Sequence, residues 1–412
     1  MDALPWRTPR VLAGAGVLTN LPDILKKKKI SHILIVTGPN IRKRGLLDEL
    51  EEELQHNKLV YHIFDEVSQN PTDVEVERGV LVYKREKCSC IVAIGGGSPM
   101  DCAKAIGARI ARPGKSVRQL QGVFRILRPI PFLIAVPTTA GSGSETTIAT
   151  VITEQKTHHK AAINDLRLMP RVVILDSKLT TALPPAVTAE TGMDALCHAV
   201  EAYTNDCYNT DLERKLCRKA VKLIYDNLYC AYRHGENLEA RQKMQQAAFY
   251  AGRAFTRGSV GYVHAIGHTL SGLYDVPHGR AMAMLLPHVM RAYGSAAEEK
   301  LAELCDVCGI TTGSSDEDTK TIGKFNGSTN KTRDPGKNEN HVKAEAFLQW
   351  MEEMKEKMDI PEYPDMILKK DIPQIANWAA KEGNPLYPVP VVWTKSEFQK
   401  FVINMTIHKK RS

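Results

Sequence analysis

Residues 90–101 read CIVAIGGGSPMD. A short apolar run, Cys90 to Ile94, gives way to three glycines, a serine and a proline. Apolar runs of this length read as buried strands, and Gly and Pro end them. Ser98 is placed to be an N-cap, Pro99 suits the first helical position, and Asp101 falls where a capping-box acid would. The stretch therefore predicts strand, glycine turn, helix. Glycines let a ligand approach the backbone closely, and a helix start directs free amides at it, which would seat a pyrophosphate. The G-x-G-x-x-G fingerprint is absent, and from these residues alone a tight turn without a ligand reads equally well.

Similar runs flank this one. Residues 33–36 (ILIV) end in Thr37-Gly38-Pro39-Asn40, and further strands are expected at 60–64, 132–136 and 172–175. Charged segments with helical spacing lie between them, at 46–54 and 74–84, and 14–23 reads as a loop entering a helix. Strands alternating with helices predict a parallel sheet covered on both faces, with ligands beyond the carboxyl ends of the strands. A second loop at such an end is PTTAGSGSE, 137–145. Thr138 and Thr139 are candidates to bond a nucleotide there; the alternative is a polar loop capping the next element.

From about Pro184 the pattern changes. Helical segments follow at 190–204, 212–228, 236–255, 262–273, 281–293, 344–358 and 372–382, and a last helix starts near Ser396. The shift marks the expected domain boundary, with 1–184 α/β and 185–412 all-helical. A polar stretch at 311–341 reads as a long surface loop.

Two helical stretches carry the chemistry. In GMDALCHAVEAY, 192–203, Asp194 and His198 are four apart and share a helical face. In GYVHAIGHTLSGLYDVPHG, 261–279, the same holds for His264 and His268, while His278 follows Pro277 and is expected just past the helix end. Asp194, His198, His264 and His278 are the candidate ligands of one divalent cation, their donors suiting zinc or iron(II). His268 would stand beside the metal without binding it. Any one of these histidines alone reads as readily as a hydrogen-bonded core or surface residue. The zinc-protease pattern is absent, since Ala265 stands where it needs glutamate.

Composition excludes several classes. A chain of 412 residues exceeds one ordinary core, and 43% hydrophobic with 25% charged residues is globular. No apolar run reaches the ~18 residues of a membrane span, and MDALPWRTPR lacks a signal-peptide core. With nine scattered cysteines, an odd count, this predicts a cytoplasmic protein with free thiols. Cys305 and Cys308 form a lone C-x-x-C and read as core residues. The N-x-[ST] matches at Asn326 and Asn330 carry no weight in the cytosol. The net charge of +8 is modest. Its short basic runs, 26–29 and 409–411, have no interleaved aromatics, so no nucleic acid is expected. A positive field does favour anionic ligands such as nucleotides.

With these residues in place, the chain resembles the iron-containing (group III) alcohol dehydrogenase family. The likeness rests on GGGSPMDCAKAIG, PTTAGSGSETT, GMDALCHAVEAY and GYVHAIGHTLSGLYDVPHG, with Leu286-Pro287-His288 behind them, in the family's order. It weakens after residue 295 except around GNPLYPVP, and 311–341 looks like an insertion. The resemblance implies a Rossmann-like domain for NAD or NADP and an all-helical domain carrying Fe2+, or Zn2+, on the same four ligands. It places pyrophosphate contacts on Gly96, Gly97 and Ser98, further contacts on Thr138 and Thr139, and ribose and nicotinamide contacts on Lys160 and Leu179. It implies hydride transfer between NAD(P)(H) and a small alcohol or aldehyde, His268 as proton relay, and a homodimer without nucleic-acid or membrane partners. Two departures stand out. Gly38 replaces the aspartate that many NAD-preferring members carry, so repulsion of a 2′-phosphate is absent and NADP use is predicted. Arg257 follows Phe255-Thr256; facing the pocket it would favour an anionic substrate group, and facing outward it would pair with a neighbour. The alternatives are a zinc glycerol dehydrogenase-like polyol oxidoreductase and a non-catalytic metal-binding assembly protein.

Overall fold

The computed structural model describes residues 8–157, 160–312 and 339–407. Most of the polar stretch at 311–341, with Asn326 and Asn330, and the basic tail at 409–411 lie outside the described residues. Among the described residues nine strands occupy the first half: β1 (Arg10–Ala13), β2 (His32–Val36), β3 (Val60–Phe64), β4 (Cys90–Gly95), β5 (Gly122–Val123), β6 (Phe132–Pro137), β7 (Ala149–Thr153), β8 (Lys160–Asn164) and β9 (Val172–Leu175). Between them run α1 (Leu21–Lys27), α2 (Pro39–Lys43), α3 (Asp48–His56), α4 (Asp73–Arg85), α5 (Gly97–Ala111) and α6 (Val117–Leu120).

Six strands pair in parallel in the order β1-β9-β6-β4-β2-β3, and β5-β8-β7 form a small separate sheet. Successive strand residues point to opposite faces. Leu34, Val36, Ile91 and Ala93 therefore enter one core, with Val76, Val80 and Ile106. Ile33, Ile35, Val92 and Ile94 enter the other, with Leu21, Leu25, Leu50 and Leu54. Continuous apolar runs are what a doubly covered strand requires. The strands not anticipated lack them: three of the four residues of β1 are exposed, and β8 reads KAAIN with one buried side chain.

Among the described residues no strand follows β9. The second half holds α7 (Pro185–Thr204), α8 (Asp211–Arg233), α9 (Leu238–Gly258), α10 (Tyr262–Tyr274), α11 (His278–Ala292), α12 (Ser295–Cys308), α13 (Glu339–Lys357), α14 (Ile372–Gly383) and α15 (Lys395–Ile407) around one helical core. Helix α12, which was not anticipated, buries both Cys305 and Cys308, and all nine cysteines are free thiols. No helix among the described residues is long and apolar enough to cross a membrane.

Two local expectations are corrected. Helix α5 starts inside the glycine run, with Gly96 at the N-cap, so neither Ser98 nor Asp101 caps it. Ser98 Oγ donates to the Gln69 carbonyl instead. Asp101 is turned away, accepting from Ser144 Oγ at 3.0 Å and Val151 N at 3.1 Å. The strand must turn within Gly95, whose φ is +152° and whose added Cβ would lie 2.5 Å from Pro99 Cγ. That tight turn brings the helix forward by two residues. Second, His278 lies past the end of α10 as expected, but it is itself the first residue of α11.

The halves are joined along α9. Gln245 Nε2 donates to the carbonyls of Pro137 (3.0 Å) and Asp176 (3.2 Å), and Gln242 Nε2 to that of Leu175 (3.2 Å). These are the carboxyl ends of β6 and β9. Gly143 and Gly252 meet so closely that a Cβ on Gly143 would sit 2.6 Å from Gly252 Cα. The loop after β6 is thus pressed against the helical half, where ligands of parallel sheets bind.

Candidate metal and cofactor site

Helix α7 presents Asp194 and His198 one turn apart, α10 presents His264, and the first residue of α11 presents His278. Their ligand atoms all lie within 4.8 Å of one another. Four donors at about 2.1 Å from one ion would be about 3.4 Å apart, so a small inward movement closes the shell. Three of these side chains each carry a buried polar atom that makes no hydrogen bond: Asp194 Oδ1, His198 Nδ1 and His264 Nε2. His278 Nε2 stands 3.3 Å from Asp194 Oδ1. Buried polar atoms are normally satisfied, so three such orphans in one cluster call for a cation. Neutral imidazoles and a carboxylate are the donor set of zinc and iron(II), and the residues fit such an ion.

The electrostatics agree. Burial pushes His198 down to about 3, and burial, with His278 and His268 nearby, holds His264 well below the usual imidazole range. Both rings are therefore unprotonated at neutral pH, with lone pairs available. Burial alone would raise Asp194, but His198 and His278 outweigh it and hold the carboxyl below its usual range. Asp194 in turn outweighs burial at His278 and raises it.

Glu201 is a member of this site that the sequence reading passed over. It is 1% exposed and accepts from His264 Nδ1 at 2.5 Å and from Val263 N at 2.7 Å. Burial pushes it up to about 7 against the pull of the Gly261 and Val263 amides. A signal was present, because Glu201 is seven residues from Asp194 and three from His198, on the same helical face.

His268 stands beside the ligands, its ring 5.6 Å from that of His264 and 5.2 Å from that of His278. It is exposed, and its Nδ1 lies 2.6 Å from Glu382 Oε1, which also accepts from Tyr387 Oη at 2.8 Å. Tyr387 lies in GNPLYPVP, where the family resemblance returns, and Glu382 immediately precedes that stretch. Phe255 stacks on His198 at 4.2 Å and covers one face of that ligand. Arg257 directs its Nε to the Tyr208 carbonyl at 3.0 Å, the neighbour-pairing alternative.

On the other side of the cleft, the two loops touch. A Cβ on Gly96 would meet Thr139 at 3.3 Å, and one on Gly97 would meet Ser142 at 3.4 Å. Thr138 N donates to the Gly95 carbonyl at 3.0 Å. No side chain caps α5, so its first amides are left for an anion. Gly141 packs on Thr191, one turn before Asp194, which brings the same loop to the metal ligands. Lys160 opens β8, bonds Asn70 Oδ1 at 2.9 Å and is felt electrostatically at His278. Leu179 is buried against the second core beyond β9. Gly38, two residues past β2, is the extended (φ −100°) N-cap of α2, and Arg42 of that helix reaches Asp65 at 3.7 Å.

Residues 8–177 match the iron-containing alcohol dehydrogenase family, and residues 188–401 match the C-terminal domain of the Fe-containing alcohol dehydrogenase family. The 1,3-propanediol dehydrogenase of Klebsiella pneumoniae is 43% identical over 278 residues, 67% of this chain and 71% of that protein. Alcohol dehydrogenase 4 of Schizosaccharomyces pombe is 40% identical over 296 residues, covering 72% and 69%. The crystal structure of a 1,3-propanediol oxidoreductase superposes with a TM-score of 0.87 at 33% identity, covering 98% of this chain and all of that one.

Proposed function

This chain belongs to the iron-containing alcohol dehydrogenase family, and from its residues we propose how it works as a metal-dependent alcohol dehydrogenase. Asp194, His198, His264 and His278 hold one iron(II) or zinc ion. Residues 1–184 bind NAD or NADP, and residues 185–412 carry the metal. The observation that carries this reading is the gathering of four ligand side chains within 4.8 Å, with buried polar atoms on Asp194, His198 and His264 that make no hydrogen bond.

When bound, the metal supplies Lewis acidity toward a carbonyl or alcohol oxygen. The remaining work falls to the chain. Gly96, Gly97, Ser98 and the free amides of α5 seat the pyrophosphate, while Thr138, Thr139, Lys160 and Leu179 line the path toward the nicotinamide. A nicotinamide cofactor held there would supply the hydride donor or acceptor for the substrate carbon. Phe255 shields His198 from water. His268 exchanges the proton at Nε2, because Nδ1 is engaged by Glu382. Gly38 offers no carboxylate to repel a 2′-phosphate, so NADP is accepted. The substrate is a small alcohol or aldehyde, and the protein acts as a cytoplasmic homodimer.

The test is direct. Chelator-treated protein is mixed with NADH or NADPH and a panel of short aldehydes, with and without iron(II) or zinc. Loss of reduced-nicotinamide absorbance only after metal addition supports the reading. Equal rates in the stripped protein and in Asp194→Asn would sink it, and turnover of glycerol alone would favour the polyol alternative.

A further inference from the structure

The four ligands come from three helices, and something must set both the tautomer and the direction of each ring. For His264 the structure shows what does so. We infer that Glu201 is a positioning residue that makes His264 a metal ligand, an inference that rests on the metal reading above.

A cation on Nε2 leaves the ring's one proton on Nδ1, where Glu201 Oε2 stands 2.5 Å away as its acceptor. Nε2 is buried and makes no hydrogen bond, and the ring is gathered with Asp194 and His198. The other candidate acceptor is the Cys197 thiol, 3.8 Å from the same Nδ1, and thiol sulfur accepts weakly. A carboxylate behind a ligating histidine fixes ring orientation and raises ligand basicity. The second oxygen has a separate task. Glu201 Oε1 accepts from Val263 N at 2.7 Å, in the uncapped first turn of α10. One side chain of α7 thus ties down the start of α10 and the ring one residue further on. Gly261 is part of the device, because a Cβ there would come within 2.8 Å of Glu201 Oε1. Glycine at 261 lets the carboxylate reach the helix end.

Glu201→Gln distinguishes this role from a purely structural one. The amide oxygen can stay on the backbone donors, which places the NH2 group against His264 Nδ1. Two donors cannot pair, so the proton moves to Nε2 and the ligand atom is lost. The expected result is a 10- to 100-fold weaker affinity for zinc(II) in chelator competition, with the unfolding midpoint of the metal-free protein close to wild type. The 15N shifts of the His264 ring, assigned by their loss in His264→Asn, should read Nδ1–H in wild type and Nε2–H in Glu201→Gln. Gly261→Ala, which alters neither Glu201 nor a ligand, should also weaken zinc binding. Wild-type zinc affinity and an unchanged tautomer in Glu201→Gln overturn the inference and leave the metal reading standing. A wild-type protein that binds no metal overturns both. If Glu201→Gln does not fold, the wild-type spectrum still decides: an Nε2–H tautomer in the metal-free protein overturns the inference.

Discussion

Lys104 lies on α5, 1% exposed, and donates into the loop that follows β6. Its ammonium reaches the carbonyls of Ser144 (2.6 Å), Thr147 (3.2 Å) and Ala149 (2.8 Å) and the hydroxyls of Ser144 (3.1 Å) and Thr147 (2.8 Å). The instructive perturbation is Lys104→Met, because two large effects oppose each other. Burial pulls the ammonium from 10.5 down to about 8, against Asp101 and Glu145, which pull it up. That difference corresponds to roughly 3 kcal/mol of strain at neutral pH, which the substitution relieves. Against it stand three carbonyls that lose this donor, at about 1–3 kcal/mol each, although the Ser144 carbonyl keeps the Thr147 amide at 3.3 Å. Thr147 Oγ1, 3.4 Å and 3.3 Å from two of them, recovers part. The orphaned acceptors win, and the expected net loss is about 2–4 kcal/mol at pH 7. The loop also carries Thr138 and Thr139, so KM for the nicotinamide cofactor should rise while metal content is unchanged. Denaturant unfolding of both proteins across pH supplies the check. The folded pKa lies below the unfolded one, so the unfolded chain binds the extra proton between about 8 and 10.5. The stability Lys104 contributes is fully present above about 10.5 and is lost as pH falls through about 8. The gap between wild type and variant should therefore widen by roughly 3 kcal/mol from pH 8 to 10.5. A gap independent of pH, or a variant as stable as wild type at pH 7, refutes the reasoning.

Other expectations follow from the site. His268→Ala should retain one metal per chain while kcat falls by about 100-fold or more; loss of metal instead would show that the ligand set has been misassigned. Gly38→Asp is compatible with φ −100°, sets its Cβ 3.3 Å from the Val67 carbonyl, and should lower kcat/KM for NADPH by about tenfold or more, a change of about 1.4 kcal/mol, relative to NADH. A strong NADH preference in wild type contradicts that idea. Gly252→Ala would set a Cβ 2.3 Å from Thr146 Oγ1 and 2.8 Å from the Gly143 carbonyl. It should cost about 1–3 kcal/mol in unfolding, and an unchanged midpoint would mean that α9 and the loop part without strain.

The parallel sheet and the helical half could be read from the sequence because their signals are local. ILIV at 33–36 and CIVAI at 90–94 have no polar alternation, which only a strand covered on both faces tolerates. Asp194 with His198, and His264 with His268, could be put on shared faces from the sequence because four-residue spacing does so whatever the helix packs against, whereas His278, beyond the helix end, has no such spacing. The edge strand β1 and the β7–β8 pair escaped notice because their side chains are half exposed and their pairing comes from distant residues. The start of α5 was misjudged by two residues because Gly95 turns against Pro99 in a way set by close packing, not by capping preference. Convergence was beyond the sequence altogether. The approach of α7, α10 and α11 that gathers four ligand side chains, and the reach of Glu201 behind His264, arise from helices packed across 60 or more residues of chain. A spacing rule specifies which face of a helix a residue occupies; only the packing of that face against another helix decides what it meets.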